Sequence, residues 1–149
     1  MADLSDFIVS KVRVKLLSIL LSSAGELFHV RGLVRLAKEE INAVRRELMR
    51  MEVAGIVKKE ARGNRLYYWA RTDYLFYQDL LSAVSKTTGL GGAIYENRNK
   101  LGKINFVMLS GRTARGKPRK GEDEVDLLVV GEVVLPELAS IVRSQETKL

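Results

Sequence analysis

Residues 31–68 read RGLVRLAKEEINAVRRELMRMEVAGIVKKEARGNRLYY, and this stretch decides the fold. Its centre predicts a helix from about Asn42 to Ala54. Ile41, Val44, Leu48 and Met51 recur every three or four positions and so share one buried stripe. Arg45, Arg46, Met49 and Arg50 fall on the other faces. Gly55 follows directly, a residue type suited to the left-handed backbone just past a helix end. Two strand-like runs come next, Ile56–Ala61 and Arg65–Ala70, separated by Gly63-Asn64, a pair suited to a tight hairpin turn. Upstream, Arg31–Ala37 predicts a shorter helix with Leu33, Leu36 and Ala37 facing inward. Lys38–Glu40 makes the turn between the two helices.

Helix, tight turn, longer helix and a hairpin with a basic tip, in that order, resemble the winged helix-turn-helix of small bacterial and archaeal transcription regulators of the ArsR-like kind. The resemblance implies a DNA-binding transcriptional regulator whose helix 42–54 enters the major groove. Asn42 would then pair with adenine, and Arg45 or Arg46 with guanine. Arg50, nearer the helix end, would meet phosphate. The tip Arg62-Gly63-Asn64-Arg65 would follow the backbone or enter the minor groove, with Lys58 and Lys59 adding phosphate contacts. The partner implied is double-stranded DNA, read by a homodimer. Glu47 and Glu52 lie on the same helix and can pair with neighbouring arginines, leaving fewer of them for DNA.

Working outward, Ser10 is a candidate N-cap for a helix over Lys11–Leu21 that buries Val14, Leu17, Leu20 and Leu21. Residues 4–9 lead into it as an extended or helical segment. Leu27–Val30 is short and β-like, a third strand for the hairpin. His29, the single histidine, has no cysteine or spaced carboxylate to join it in a zinc site and reads as structural or at the surface. After the hairpin, Thr72 is a candidate cap for a helix over Asp73–Thr87. Tyr74, Tyr77, Leu81 and Val84 form one apolar stripe of that helix, beside Phe76, Leu80 and Ala83. These stripes suit either packing within the chain or a dimer contact. Gly89, Gly91 and Gly92 then interrupt the pattern and suggest a hinge, before a helix running to Leu101.

The chain has 149 residues and a net charge of +7, unevenly placed. Residues 1–71 hold 14 Lys/Arg against 8 Asp/Glu, and residues 72–149 hold 11 against 10. A basic front half points to a polyanionic partner for that half. The absence of cysteine excludes disulfides and thiolate metal sites and suits an intracellular protein. Lys11, Arg13 and Lys15 break the early apolar run, so neither a signal peptide nor a membrane span is expected, and the chain reads as cytoplasmic.

In the back half, residues 104–109 and 125–130 read as buried strands, the second carrying Asp126. A carboxylate in such a run is costly unless paired or bound to metal. The loop between them holds Arg112, Arg115, Lys117, Arg119 and Lys120. Leu135–Glu146 is a last amphipathic helix with Pro136 in its first turn, where a missing N–H does no harm.

Strand, Gly-containing loop with Ala114-Arg115-Gly116, then strand with acid-x-acid resembles the minimal nucleotidyltransferase fold of the DNA polymerase beta superfamily, over roughly residues 95–149. The resemblance implies nucleotide binding by Gly111, Arg112 and Arg115, and metal binding by Glu124 and Asp126. Its cofactor would be Mg²⁺ with a nucleoside triphosphate. Arg112 stands where the family has serine, and Glu124 replaces the first aspartate. The family's third carboxylate lies on a later strand that is not found before Leu149. A module impaired in catalysis is therefore expected; the alternative is a metal-dependent nucleotidyltransferase that uses the winged helix for targeting. The expected fold class is α+β: a winged helix-turn-helix over 1–71, a helical connector over 72–101 and an incomplete nucleotidyltransferase-like module over 102–149.

Overall fold

The computed structural model describes residues 8–114, 117 and 121–146. These residues form an α+β fold of seven helices and two small antiparallel sheets. The chain divides into two compact units, Met1–Val84 and Ser85–Leu149.

The first unit starts with α1 (Lys11–Ser22), whose N-terminus is closed by Ser10: its hydroxyl accepts from the Arg13 N–H at 3.2 Å. The strand β1 (Phe28–His29) leads into α2 (Val30–Ala37) and then α3 (Ile41–Val53). Lys38 makes the turn between these helices with φ +53°, and its N–H donates to the Val34 carbonyl. A lysine in that conformation costs roughly 1 kcal/mol; the turn needs it to bring α3 across α2. The hairpin β2 (Val57–Arg62) and β3 (Arg65–Ala70) follows, in register Val57↔Ala70 through Arg62↔Arg65. Its two-residue turn has φ +61° at Gly63, while Asn64 keeps a negative φ. That one-sided pattern belongs to the II′ class, whose first central residue favours glycine. β1 pairs with β3 as expected, giving the order β1-β3-β2.

One apolar core joins these elements. Leu16, Leu17, Leu20 and Leu21 of α1 pack with Leu33 and Ala37 of α2, and with Val44, Leu48 and Met51 of α3. Each fully buried leucine contributes about 2 kcal/mol by its removal from water. Two inward-facing expectations are corrected. Leu16 is buried where Val14 was expected to be, and Leu36 is 58% exposed. At 100° per residue, Leu36 stands about a quarter turn off the line of Val30, Leu33 and Ala37.

The helix expected over Asp73–Thr87 is shorter: α4 covers Tyr77–Thr87. Thr72 caps nothing there, because Arg71 holds Asp73 in a two-pronged contact (3.1 and 2.8 Å) and residues 72–76 form turns. Tyr77, Leu81 and Val84 are buried in the first unit's core, and the Tyr77 hydroxyl donates to the Leu21 carbonyl at 3.4 Å. That stripe packs within the chain; Phe76 beside it stays 53% exposed.

The second unit contains α5 (Gly89–Glu96), β4 (Gly102–Leu109), α6 (Gly111–Ala114), β5 (Leu127–Val133) and α7 (Leu135–Glu146). The helical pattern breaks where expected, α4 ending at Thr87; glycines 89, 91 and 92 then open α5, which ends at Glu96 rather than Leu101. A Cβ on Gly91 would lie 2.0 Å from the Ser85 carbonyl oxygen, and one on Gly92 would lie 2.6 Å from the Thr87 carbonyl carbon. Close backbone approach, not chain freedom, is what these two positions require.

β4 and β5 pair antiparallel from Gly102↔Val133 to Leu109↔Leu127, with an irregularity between Ile104 and Phe106. The second strand begins at Leu127, two residues later than expected. Neither strand is buried on both faces. Phe106, Met108, Leu128 and Val130 of this two-stranded sheet are 42–52% exposed. α7 begins as expected, with Pro136 in its first turn.

Candidate nucleic-acid interface

α3 places its residues by simple rotation. Val44, Glu47, Leu48 and Met51 are buried, so Asn42, Arg46, Met49 and Val53 stand on the opposite side. Arg45 and Arg50 flank that ridge. Asn42, Arg45 and Arg46 are exposed, and among the described residues neither arginine has an ion pair within 4 Å. The N-terminus of α3 is closed by Glu40, whose carboxylate accepts from the Asn42 N–H (2.9 Å) and the Ala43 N–H (3.0 Å). These two backbone bonds, helped by the charges of Arg46 and Arg45, hold the Glu40 carboxyl below its ordinary pKa. The helix end is thus already occupied by an anion from the chain itself. Glutamate is not among the residues that mark a helix start at this position, so the sequence places Glu40 in the turn and only the structure shows it as the cap.

α3 and the hairpin share an open groove of about 980 Å³ with the start of α2. Arg31 and Arg35 enter it from α2, Arg45 and Met49 from α3, and Lys59 and Arg65 from the hairpin. His29, Asn64 and Tyr68 complete its polar lining, and among the described residues no Asp or Glu lines it. Five cationic side chains, of which Lys59 alone is paired, by Glu52 beside the groove, make a surface of positive potential. Arg31 and Arg35 were absent from the sequence-derived set. Their signal was their position on the first of the two helices, which composition does not single out.

Several of the expected contacts are engaged inside the chain. Glu47, 5% exposed, accepts from Arg13 Nε of α1 at 2.7 Å and from Arg50 Nη1 at 3.0 Å. Burial by itself would raise the Glu47 pKa; the bonds from Arg13 and Ser10 and the charges of Arg13 and Arg50 outweigh it, and the net shift is downward. Lys59 holds Glu52 at 2.7 Å, and that hydrogen bond raises the lysine pKa. Arg62 grips Glu60 at 3.1 and 3.3 Å and sits 5.9 Å from the Tyr67 ring centre. Lys58, Asn64 and Arg65 are exposed, and among the described residues Lys58 and Arg65 have no ion pair. His29, expected to be structural or at the surface, stacks at a tilt on Tyr67, with centroids 5.7 Å apart.

The second unit brings together part of the other expected set. Ser110 caps α6: its Oγ accepts from the Thr113 N–H at 3.1 Å and lies 2.8 Å from the Thr113 hydroxyl. That hydroxyl donates to Asp126 Oδ1 at 2.7 Å, so the costly carboxylate is satisfied by a side chain. Gly111 begins α6, and Arg112 lies 3.5 Å from Glu124. Arg115, like Gly116, Arg119 and Lys120, lies outside the described residues. Among the described residues no three His, Cys, Asp or Glu side chains cluster to hold a metal. Glu124 is turned to an arginine and Asp126 to a hydroxyl, and no third acid joins them. This donor set does not fit the Mg²⁺–triphosphate arrangement, which needs converging carboxylates.

Compared with family models, curated proteins and solved structures, the chain matches none. No helix among the described residues is long and apolar enough to cross a membrane.

Proposed function

We propose that the first unit is a winged helix-turn-helix that binds double-stranded DNA, and that the protein is a sequence-specific transcriptional regulator acting as a homodimer. One observation carries this reading: Arg45 and Met49 of α3 and Asn64 and Arg65 of the hairpin tip line one groove that holds five cationic side chains and, among the described residues, no lining acid. The element order α1-β1-α2-α3-β2-β3, with β1 on the edge beside β3, supports it. In this arrangement α3 enters the major groove. Asn42, Arg45 and Arg46 meet base edges, while Arg31, Arg35, Lys58 and Arg65 neutralise phosphates. Arg50, Lys59 and Arg62 contribute only when DNA displaces Glu47, Glu52 and Glu60 from them. The second unit is then a nucleotidyltransferase-like module of impaired chemistry, attached to the reader.

The test is a duplex recovered from a random pool by the full chain. Arg46→Ala lowers affinity for it by about 1–3 kcal/mol and relaxes preference at one base position. Full affinity and unchanged preference in both Arg45→Ala and Arg46→Ala would remove the assignment of α3 as reader.

A further inference from the structure

The ridge of α3 changes character along its length. Asn42, Arg46, Met49 and Val53 lie within an arc of about 60°. The first two are polar base readers in the proposed function; the last two are apolar, with Met49 59% and Val53 90% exposed. Nothing acidic shares that line: Glu40 is spent on the helix end, Glu47 is buried, and Glu52 is held by Lys59. Met49 also lines the cationic groove beside Arg45, so it faces the same partner as the arginines.

The edge of a base pair in the major groove offers one apolar feature, the C5-methyl group of thymine. A methionine suits it: the side chain is unbranched, flexible and polarisable, and moulds itself to a small apolar surface. Met49 lies about 4.5 Å further along the helix axis than Arg46, a spacing near one base-pair step. We propose that Met49 is a specificity-determining residue that reads a thymine C5-methyl next to the base contacted by Arg46. This inference rests on the DNA-binding reading above. Val53, one turn on, reaches the end of the helix and shields the same contact from water.

The experiment uses the full chain and the duplex it selects from a random pool. Each thymine is replaced in turn by deoxyuracil, which removes the methyl group and nothing else. The wild type loses about fourfold in affinity at one position of each half-site, the worth of one buried methyl-sized group. Met49→Ala loses a similar factor on the thymine duplex and no longer distinguishes uracil there. Met49→Leu, of similar volume, keeps the discrimination. Thermal unfolding of both variants matches the wild type, because the side chain is exposed.

Wild-type binding that is indifferent to every uracil substitution overturns the proposal and leaves the DNA-binding reading standing. So does a Met49→Ala variant that retains the full uracil effect. Sedimentation showing weakened self-association in Met49→Ala, with uracil discrimination intact, assigns the residue to a contact between copies instead. Failure to select any duplex overturns the DNA-binding reading, and this inference with it.

Discussion

Glu47 is a single acid with two structural duties. It ties α3 to α1 through Arg13 and steadies Arg50 on its own helix. Its carboxyl is held below the ordinary value of 4.5, so its stabilising contribution is present above that pH and is lost as pH falls through the lower folded value. Glu47→Gln should lower stability at neutral pH by about 1–3 kcal/mol and flatten the acid limb of the stability profile, as read by urea midpoints between neutral and acid pH. Glu52 works in the opposite sense on function. It occupies Lys59, so Glu52→Gln should free that lysine, tighten duplex binding and steepen the salt dependence by about one unit. A salt titration that is identical for variant and wild type would show that Lys59 does not meet phosphate.

At the scale of elements, α3 was legible because its apolar residues recur every third or fourth position, and the hairpin because two strand-like runs flank Gly63-Asn64. α5 was not legible. Three glycines in four positions look like an interruption, yet they open a helix, and two of them stand where it runs too close to the backbone of Ser85 and Thr87 for a side chain. Gly91→Ala forces a methyl group into that contact. It should cost about 1–3 kcal/mol in the second unit, measured as a lower midpoint of thermal unfolding, whereas Gly32→Ala in α2, where the added methyl meets open space, should leave the midpoint unchanged or slightly raised.

For the molecule as a whole, charge distribution dominates. The excess of basic residues lies almost entirely in residues 1–71, and five of those cations converge on one groove. With Lys59 held by Glu52 and Arg45 on a base, the four cations assigned to phosphate (Arg31, Arg35, Lys58 and Arg65) should make binding of a short duplex weaken with salt, with a slope of log K against log salt of about −3 to −4 per protomer. Fluorescence anisotropy at salt concentrations between about 50 and 200 mM measures it. A slope near zero would mean that the groove does not neutralise phosphates.

Local pattern alone determined the identity and order of the elements in residues 10–70, since helix stripes, a capping serine and a glycine turn are encoded by neighbours in the chain. It also picked out Asn42, Arg45 and Arg46 as the exposed side of one helix. The tertiary structure decided the rest of which cations are available. Arg50 and Arg62 are held by acids two or three positions away, a pairing local to the chain, but Lys59 is held by Glu52 across from α3, and Arg31 and Arg35 are carried into the groove by the crossing of α2 and α3. The same holds for the carboxylates of the second unit. Acid-x-acid spacing is a local property, whereas convergence on a metal depends on what else folds nearby, and here a hydroxyl and an arginine come first.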